Sequence, residues 1–425
     1  DALPILNKIG YNMFQVDKNY WLVIAPYVYC CIKGKKALLY NTKNWEYLEV
    51  ENENVIGLLR QLHKRDNLGA VFCEGKMLTE LCYSNFISDF VLKEMGGVID
   101  VASFPDKPIQ MMPILNLQCD VDKLQQIEDR GIGEDILFNL LEINVFLYNV
   151  CDHHCLYCSK YSQQNLCCRV AETETSQVLD ISALKSIIAQ IRYGVVGRLN
   201  LFGGNIWKYP NYNDIPFLLS GFKGQIHIWS HYADFVGNKI LDSDFFYDVI
   251  VPFPMEEELL RNCIFLLGDL QIKIHFYVTQ IDEYAKAEEI VHKYAINDYS
   301  IHSTYVGCNL DYFEKYVYMD KGDILQSQYS MSQIFAHQKM NSHFFGSLSI
   351  SVNGDVYANL NSLVLGNIYK DSLIDIVNKE MLDNTAWRKI RNDYPCCDCI
   401  YQWLCPSPSN YELAIGKPNL CHVKP

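Results

Sequence analysis

Apolar positions in residues 1–102 recur first with the period of strands and then with that of helices. From Trp21 an apolar run leads to Cys31, a Lys33-Gly34-Lys35 turn follows, and Ala37-Leu38-Leu39-Tyr40 and Tyr47-Leu48-Glu49-Val50 read as further strands. Between Asn52 and His63 the apolar residues Val55, Ile56, Leu58, Leu59 and Leu62 fall on one helical face, with Asn52 as the expected N-cap. A strand at Ala70-Val71-Phe72-Cys73 and a helix over Phe86–Met95, ending at Gly96-Gly97, complete the unit. Strands followed by helix, strand and helix predict a winged-helix-like module.

Residues 103–140 read as a connector, because Pro105, Pro108 and Pro113 interrupt it before a polar, helix-like stretch. From residue 141 to 330 strands and helices alternate. The strands are expected at Ile143–Tyr148, Leu199–Phe202, Gln225–Trp229, Tyr247–Val251, Lys273–Val278 and Tyr299–Tyr305, with helices at Ile181–Tyr193 behind an Asp180 cap, Glu256–Leu267 and Tyr284–Tyr294. Strands alternating with helices predict an α/β fold whose core is a partial (β/α)6 TIM-like barrel, with its chemistry at the carboxyl ends of the strands. In residues 331–425 a hairpin is expected to turn at Asn353-Gly354, inside Leu348–Tyr357, ahead of a cysteine-rich end.

Composition narrows the function classes. The chain has 425 residues, 49% of them hydrophobic and 20% charged, which are values of a globular protein of two or three domains. A formal charge of −14 speaks against nucleic acid as the main partner, since phosphate binding needs clustered Lys and Arg. No apolar run is long enough to span a membrane. With no signal peptide read at the start, the 17 cysteines are expected to be thiols and cluster ligands in a reducing cytoplasm.

Two groups of cysteines have ligand spacing. Cys151, Cys155 and Cys158 form a C-x3-C-x2-C triplet just after the first barrel strand, which suits three irons of a 4Fe-4S cluster and leaves the fourth iron open. A zinc knuckle would need a matched second pair nearby, and a disulfide would need an oxidising compartment. At the end of the second barrel strand stands Gly203-Gly204-Asn205, where glycines admit close approach of a ligand to the backbone. In the C-terminal region Cys396, Cys399, Cys405 and Cys421 offer four thiolates, enough for a second 4Fe-4S cluster or for tetrahedral zinc, with Cys397 as an alternative to its neighbour Cys396.

The cysteine triplet with the aromatic Tyr157 before its last member, the Gly-Gly-Asn loop and the C-terminal C-x2-C-x5-C run together resemble the radical S-adenosylmethionine (SAM) peptide maturases with a SPASM domain. With Tyr20-Trp21-Leu22, Leu38-Leu39-Tyr40-Asn41-Thr42, the Gly-Gly-Asn variant and the ending at residues 401–412, the chain looks most like the "pseudo-radical-SAM" proteins of Bacteroidales peptide systems with Gly-Gly leaders. The resemblance implies that SAM chelates the open iron, that one electron cleaves it to a 5'-deoxyadenosyl radical, and that the radical abstracts hydrogen from a ribosomal precursor peptide. It assigns Gly203, Gly204 and Asn205 to the methionyl amino group and Tyr157 to the adenine side. It also implies a leader peptide added as a strand to the front module, an electron donor such as flavodoxin or ferredoxin, and a second radical SAM maturase as partner.

Departures from the pattern carry information. Asn205 stands where the family usually has glutamate, so the amide accepts a hydrogen bond but brings no charge. Positions that would ligate a second auxiliary cluster hold His343 or its neighbours, Asn359 and Ser409. One auxiliary cluster is therefore expected instead of two. Two functions remain open on the sequence: a peptide-modifying radical SAM enzyme, favoured by the intact triplet, and a catalytically idle scaffold that binds the precursor or an active maturase, favoured by Asn205 and the lost cluster.

Overall fold

The computed structural model describes residues 14–110, 136–153, 155, 158, 163–167, 177–192, 194–235 and 241–424. Tyr157, His154, Cys168 and most of the polar part of the connector lie outside these residues.

The front of the chain folds into two small antiparallel sheets. Strands β1 (Asn19–Ile24), β2 (Val28–Lys33), β3 (Lys36–Asn41) and β4 (Tyr47–Val50) come first; β5 (Ala70–Glu74) and β6 (Gly96–Asp100) follow with the helices between them. One sheet has the order β5-β1-β6 and the other β2-β3-β4. The apolar run from Trp21 to Cys31 is thus split between two sheets, because Pro26 lies in the turn that separates them and cannot donate to a ladder. Helix Glu53–Leu62 starts as predicted, with the Asn52 side chain accepting from the Asn54 and Val55 amides, and buries all five of its predicted apolar residues. The second helix begins earlier than expected, at Leu81, and ends at Leu92.

Gly96 and Gly97, read from the sequence as a helix end, open β6 instead. A Cβ on Gly96 would lie 2.0 Å from the Val23 carbonyl oxygen and 2.7 Å from the Phe90 ring. Only glycine lets β6 approach β1 this closely beneath the helix.

The central sheet contains the predicted strands in the predicted order. These are β7 (Glu142–Phe146), β8 (Arg198–Phe202), β9 (Gln225–His231), β10 (Phe246–Pro252), β11 (Gln271–Val278) and β12 (Tyr299–Ser303), all parallel to their neighbours. The C-terminal hairpin forms at Asn353-Gly354 from β13 (Ser347–Ile350) and β14 (Asp355–Tyr357), followed by β15 (Gly366–Asn367). It joins the same sheet, since β13 pairs in parallel with β7 and gives the order β12-β11-β10-β9-β8-β7-β13-β14-β15.

Side chains alternate across this sheet with period two. One face packs on helices such as Ile181–Ile191 and Glu257–Leu267 through Leu184, Ile187, Leu260 and the buried Cys263. The opposite face carries two layers. Nearer the amino ends lie polar residues, among them Asn144, Asn200, His227, Asp248 and His275. Two residues further along each strand lie Phe146, Phe202, Trp229, Ile250 and Tyr277, which form a separate apolar cluster with Cys167. Phe202 stacks on both Phe146 and Trp229, with ring centroids 4.7 and 5.3 Å apart. This aromatic layer floors the rim on which the cysteine triplet stands.

Candidate metal centres and the ligand site between them

At the carboxyl end of β7 the chain runs through Val150 into Cys151. The loop after β8 is fastened to this point: the Asn205 amide donates to the Val150 carbonyl at 3.0 Å. Gly204 has φ +57°, and a Cβ on it would lie 2.2 Å from the Val150 oxygen and 3.2 Å from the Cys151 Cβ. Any side chain here would push the two loops apart, which explains the second glycine. Gly203 packs against Ile206, whose Cα would meet a Cβ at 3.0 Å. Cys151, Cys155 and Cys158 are half-buried thiols outside any disulfide, and the Cys158 amide donates to the Cys155 carbonyl at 3.1 Å.

A polar cluster adjoins the triplet from β9, and the sequence reading did not include it. His153, inside the cysteine loop, stacks on His231 at 3.7 Å between centroids and donates through Nε2 to Asp234 Oδ1 at 2.9 Å. Asn205 Nδ2 donates to the same oxygen at 3.0 Å. Burial and the neighbouring His153 push His231 down to about 3, so its imidazole stays neutral. Its Nδ1 accepts from the Ala233 amide. The legible signal was position: His231 closes a parallel strand and Asp234 follows it, at the edge where such folds place their ligands.

Below the rim, Asp248 joins three strands. It accepts from His227 Nδ1 at 2.6 Å and from His275 Nε2 at 2.8 Å, while His275 Nδ1 meets His302 Nε2 at 3.0 Å. Burial alone would raise Asp248, but the hydrogen bonds and charges of the two histidines outweigh it and hold the carboxyl at about 2. The aromatic layer separates this network from the rim.

The second candidate centre lies in the C-terminal region. Cys396, Cys399, Cys405 and Cys421 line one cavity together with Arg391, Gln402 and Asn419. Cys397 is not part of that lining. The Val423 amide donates to Cys421 Sγ at 3.3 Å, and the Asn419 amide group lies 3.7 Å from Cys396 Sγ. Such N–H···S contacts stabilise a thiolate that holds a metal. Burial pushes Cys405 up to about 12 against the pull of Arg391, and raises Cys399 and Cys421 as well. Without a metal these thiols hold their protons, so a metal must displace them on binding. Among the described residues no three His, Cys, Asp or Glu side chains converge closely enough for a single ion. The four sulfurs ring a space and do not meet at a point.

Arg391 is buried beside them and paired with Glu412 at 2.7 Å. The positions read as lost ligands are occupied by hydrogen-bonding side chains. Asn359 donates to Asn410 at 2.7 Å, Ser409 caps the helix Asn410–Ile415, and both line a separate cavity. His343 donates its amide to the Asn341 side chain. Of the remaining cysteines, Cys31 is buried and Cys308 is exposed after β12.

The chain aligns with solved structures at low identity. SuiB of Streptococcus suis bound to its precursor peptide SuiA aligns over 95% of this chain and 99% of that one, at 12% identity and a TM-score of 0.48. The same protein bound to S-adenosylmethionine aligns over 93% and 97%, at 12% identity and a TM-score of 0.47. BtrN in complex with AdoMet and 2-DOIA aligns over 58% and 85%, at 13% identity and 0.30. No curated protein matches the chain. Residues 342–400 match the SPASM family model, an iron-sulfur cluster-binding domain, over a stretch that holds the hairpin, Cys396 and Cys399 and stops short of Cys405 and Cys421.

Proposed function

We propose that the chain is an iron-sulfur protein that binds SAM at a cluster on Cys151, Cys155 and Cys158 and acts on a ribosomally made peptide. The observation that carries this reading is the junction of Gly204 and Asn205 with Val150 and Cys151 at the carboxyl edge of the parallel sheet. Three thiols with cluster spacing meet there the backbone of the loop after β8, which Gly204 lets lie directly against them. A cluster held by Cys151, Cys155 and Cys158 would, once reduced, supply the electron for reductive cleavage of SAM.

The protein's own contribution is positional. Gly204 lets the loop after β8 close against the cysteine loop, Asn205 brings a carboxamide beside it, and the aromatic layer of Phe146, Phe202, Trp229 and Tyr277 closes the inner face below against water. Cys396, Cys399, Cys405 and Cys421 would hold a second cluster, whose negative charge Arg391 offsets from the cavity wall. The match of residues 342–400 to an iron-sulfur domain supports iron over zinc at this centre.

Peptide recognition is supported by a groove along β2, which is an edge strand of its sheet. Tyr29 and Cys30 of β2, Leu62 at the end of the first helix, and Met331 and Phe335 of the helix Met331–His337 line it. An extended leader would gain backbone hydrogen bonds from β2 and place apolar side chains against Leu62 and Phe335.

The experiment is anaerobic incubation of the cluster-loaded chain with SAM, precursor peptide and dithionite. Formation of 5'-deoxyadenosine, abolished by Cys155→Ala, is expected. Its absence from cluster-replete protein would transfer the assignment to a non-catalytic scaffold, the reading favoured by the uncharged Asn205 and by Asn359 and Ser409 in place of ligands.

A further inference from the structure

Two buried acceptor atoms beside the cysteine loop have no donor among the described residues. Asn205 Oδ1 and Asp234 Oδ2 are shielded from solvent and unpartnered, on residues only 8% and 7% exposed. The other polar atoms of both side chains are engaged: Asp234 Oδ1 receives Asn205 Nδ2 and His153 Nε2. The two side chains are therefore held in contact, each with one oxygen left over. A buried acceptor without a donor is unfavourable, and more so when it belongs to a carboxylate.

The nearby cation does not resolve this. Asp234 acts electrostatically on Lys208, but the Lys208 ammonium is half-exposed and bonded to Asp152 at 2.5 Å. Among the described residues the only ion pair of Asp234 is with His153, on the oxygen that is already occupied. A group that satisfies both free oxygens donates at least two hydrogen bonds, and beside a carboxylate a positively charged donor binds more strongly than a neutral one. A primary ammonium does this with three N–H bonds. The site also has a fixed address, since the Asn205 backbone is bonded to Val150, next to Cys151.

We propose that Asp234 supplies the negative charge that Asn205 lacks, and that the two side chains together receive a primary ammonium, namely that of the amino-acid portion of SAM. The assignment rests on the SAM reading above and adds a binding residue from β9 to a site otherwise built from β7 and β8. His153 is a positioning residue, because its hydrogen bond holds Oδ1 and leaves Oδ2 for the ligand. The carboxylate missing from the loop after β8 is thus present in the adjacent loop.

Equilibrium dialysis against the anaerobic, cluster-loaded full chain tests this with two probes. SAM carries the ammonium; 5'-deoxy-5'-methylthioadenosine keeps the nucleoside and sulfur but lacks the amino-acid portion. Asp234→Asn is expected to weaken SAM by about tenfold or more, the loss of one charge-assisted hydrogen bond, and to leave the thioether probe unchanged. Adding Asn205→Asp to Asp234→Asn returns one carboxylate to the pair and is expected to recover most of the SAM affinity. Cluster absorbance reports that each variant is loaded and folded. If Asp234→Asn binds SAM as tightly as the parent, water satisfies these atoms and the assignment is overturned while SAM binding stands. Equal weakening of both probes, without recovery in the double variant, overturns it as well. A parent chain that is cluster-replete yet binds no SAM removes the functional reading and this assignment together.

Discussion

Asp248 and the histidines around it show how single residues in this chain respond to protons. His302 is driven down to about 4, first by burial and then by His275 and Lys273. An unfolded histidine titrates near ~6.5, so between that value and about 4 the unfolded chain binds a proton that the folded chain refuses. The stability contributed by neutral His302 is complete above ~6.5 and is lost as pH falls through this window. Asp248, with its carboxyl held at about 2, acts in the same sense lower down, between ~3.9 and about 2. The urea midpoint is therefore expected to fall between pH 7 and 4.5, and to fall less in His302→Asn. Identical pH profiles for the two proteins would show that His302 is not the responsible group. At this scale the sequence was informative about cysteines and glycines and uninformative about Asp234. Cysteines at ligand spacing stand out along the sequence, whereas an aspartate acquires its role from neighbours on other strands.

Among the elements, the front module depends on the closeness of β6 to β1. These strands are in register from Tyr20 with Asp100 to Ile24 with Gly96, and the Phe90 ring lies over the last pair. Gly96→Val would drive a side chain into the Val23 carbonyl and that ring, a clash costing about 3 kcal/mol or more. A drop of several degrees in the unfolding temperature is expected, with loss of β-sheet signal; an unchanged melting curve would mean that β6 can pair at a wider spacing. The elements themselves were largely legible. Helix Glu53–Leu62, its Asn52 cap, the parallel strands and the hairpin at Asn353-Gly354 all follow local pattern. The sequence reading failed at Pro26 and at Gly96, where one apolar run feeds two sheets and two glycines begin a strand. In both places the deciding interaction is with a partner strand distant in sequence.

Over the whole molecule, the front module and the C-terminal cysteine region share a core. Tyr29, Cys31, Leu38 and Tyr40 pack against Ile400, Tyr401 and Leu404, with Cys399, Cys405 and Cys421 at the margin. Glu49 fastens the contact by accepting from the Tyr401 hydroxyl and the Lys321 ammonium, both at 2.7 Å. Removing residues 1–102 would open this core to water. Iron in the truncated chain is expected to fall from about eight to about four per chain, with the C-terminal cluster lost and the triplet cluster kept. Retention of both clusters would show that the C-terminal centre is self-sufficient. The sequence by itself determined where thiols stand at ligand spacing, where strands and helices alternate, and where backbone must be bare. These properties depend on a few adjacent residues. Tertiary structure alone decided that β13 extends the parallel sheet from β7, that Cys396 and not its neighbour Cys397 lines the cavity shared with Cys399, Cys405 and Cys421, and that Asp234 meets Asn205. Each of these depends on contacts between segments far apart along the chain, which the pattern within any one segment does not encode.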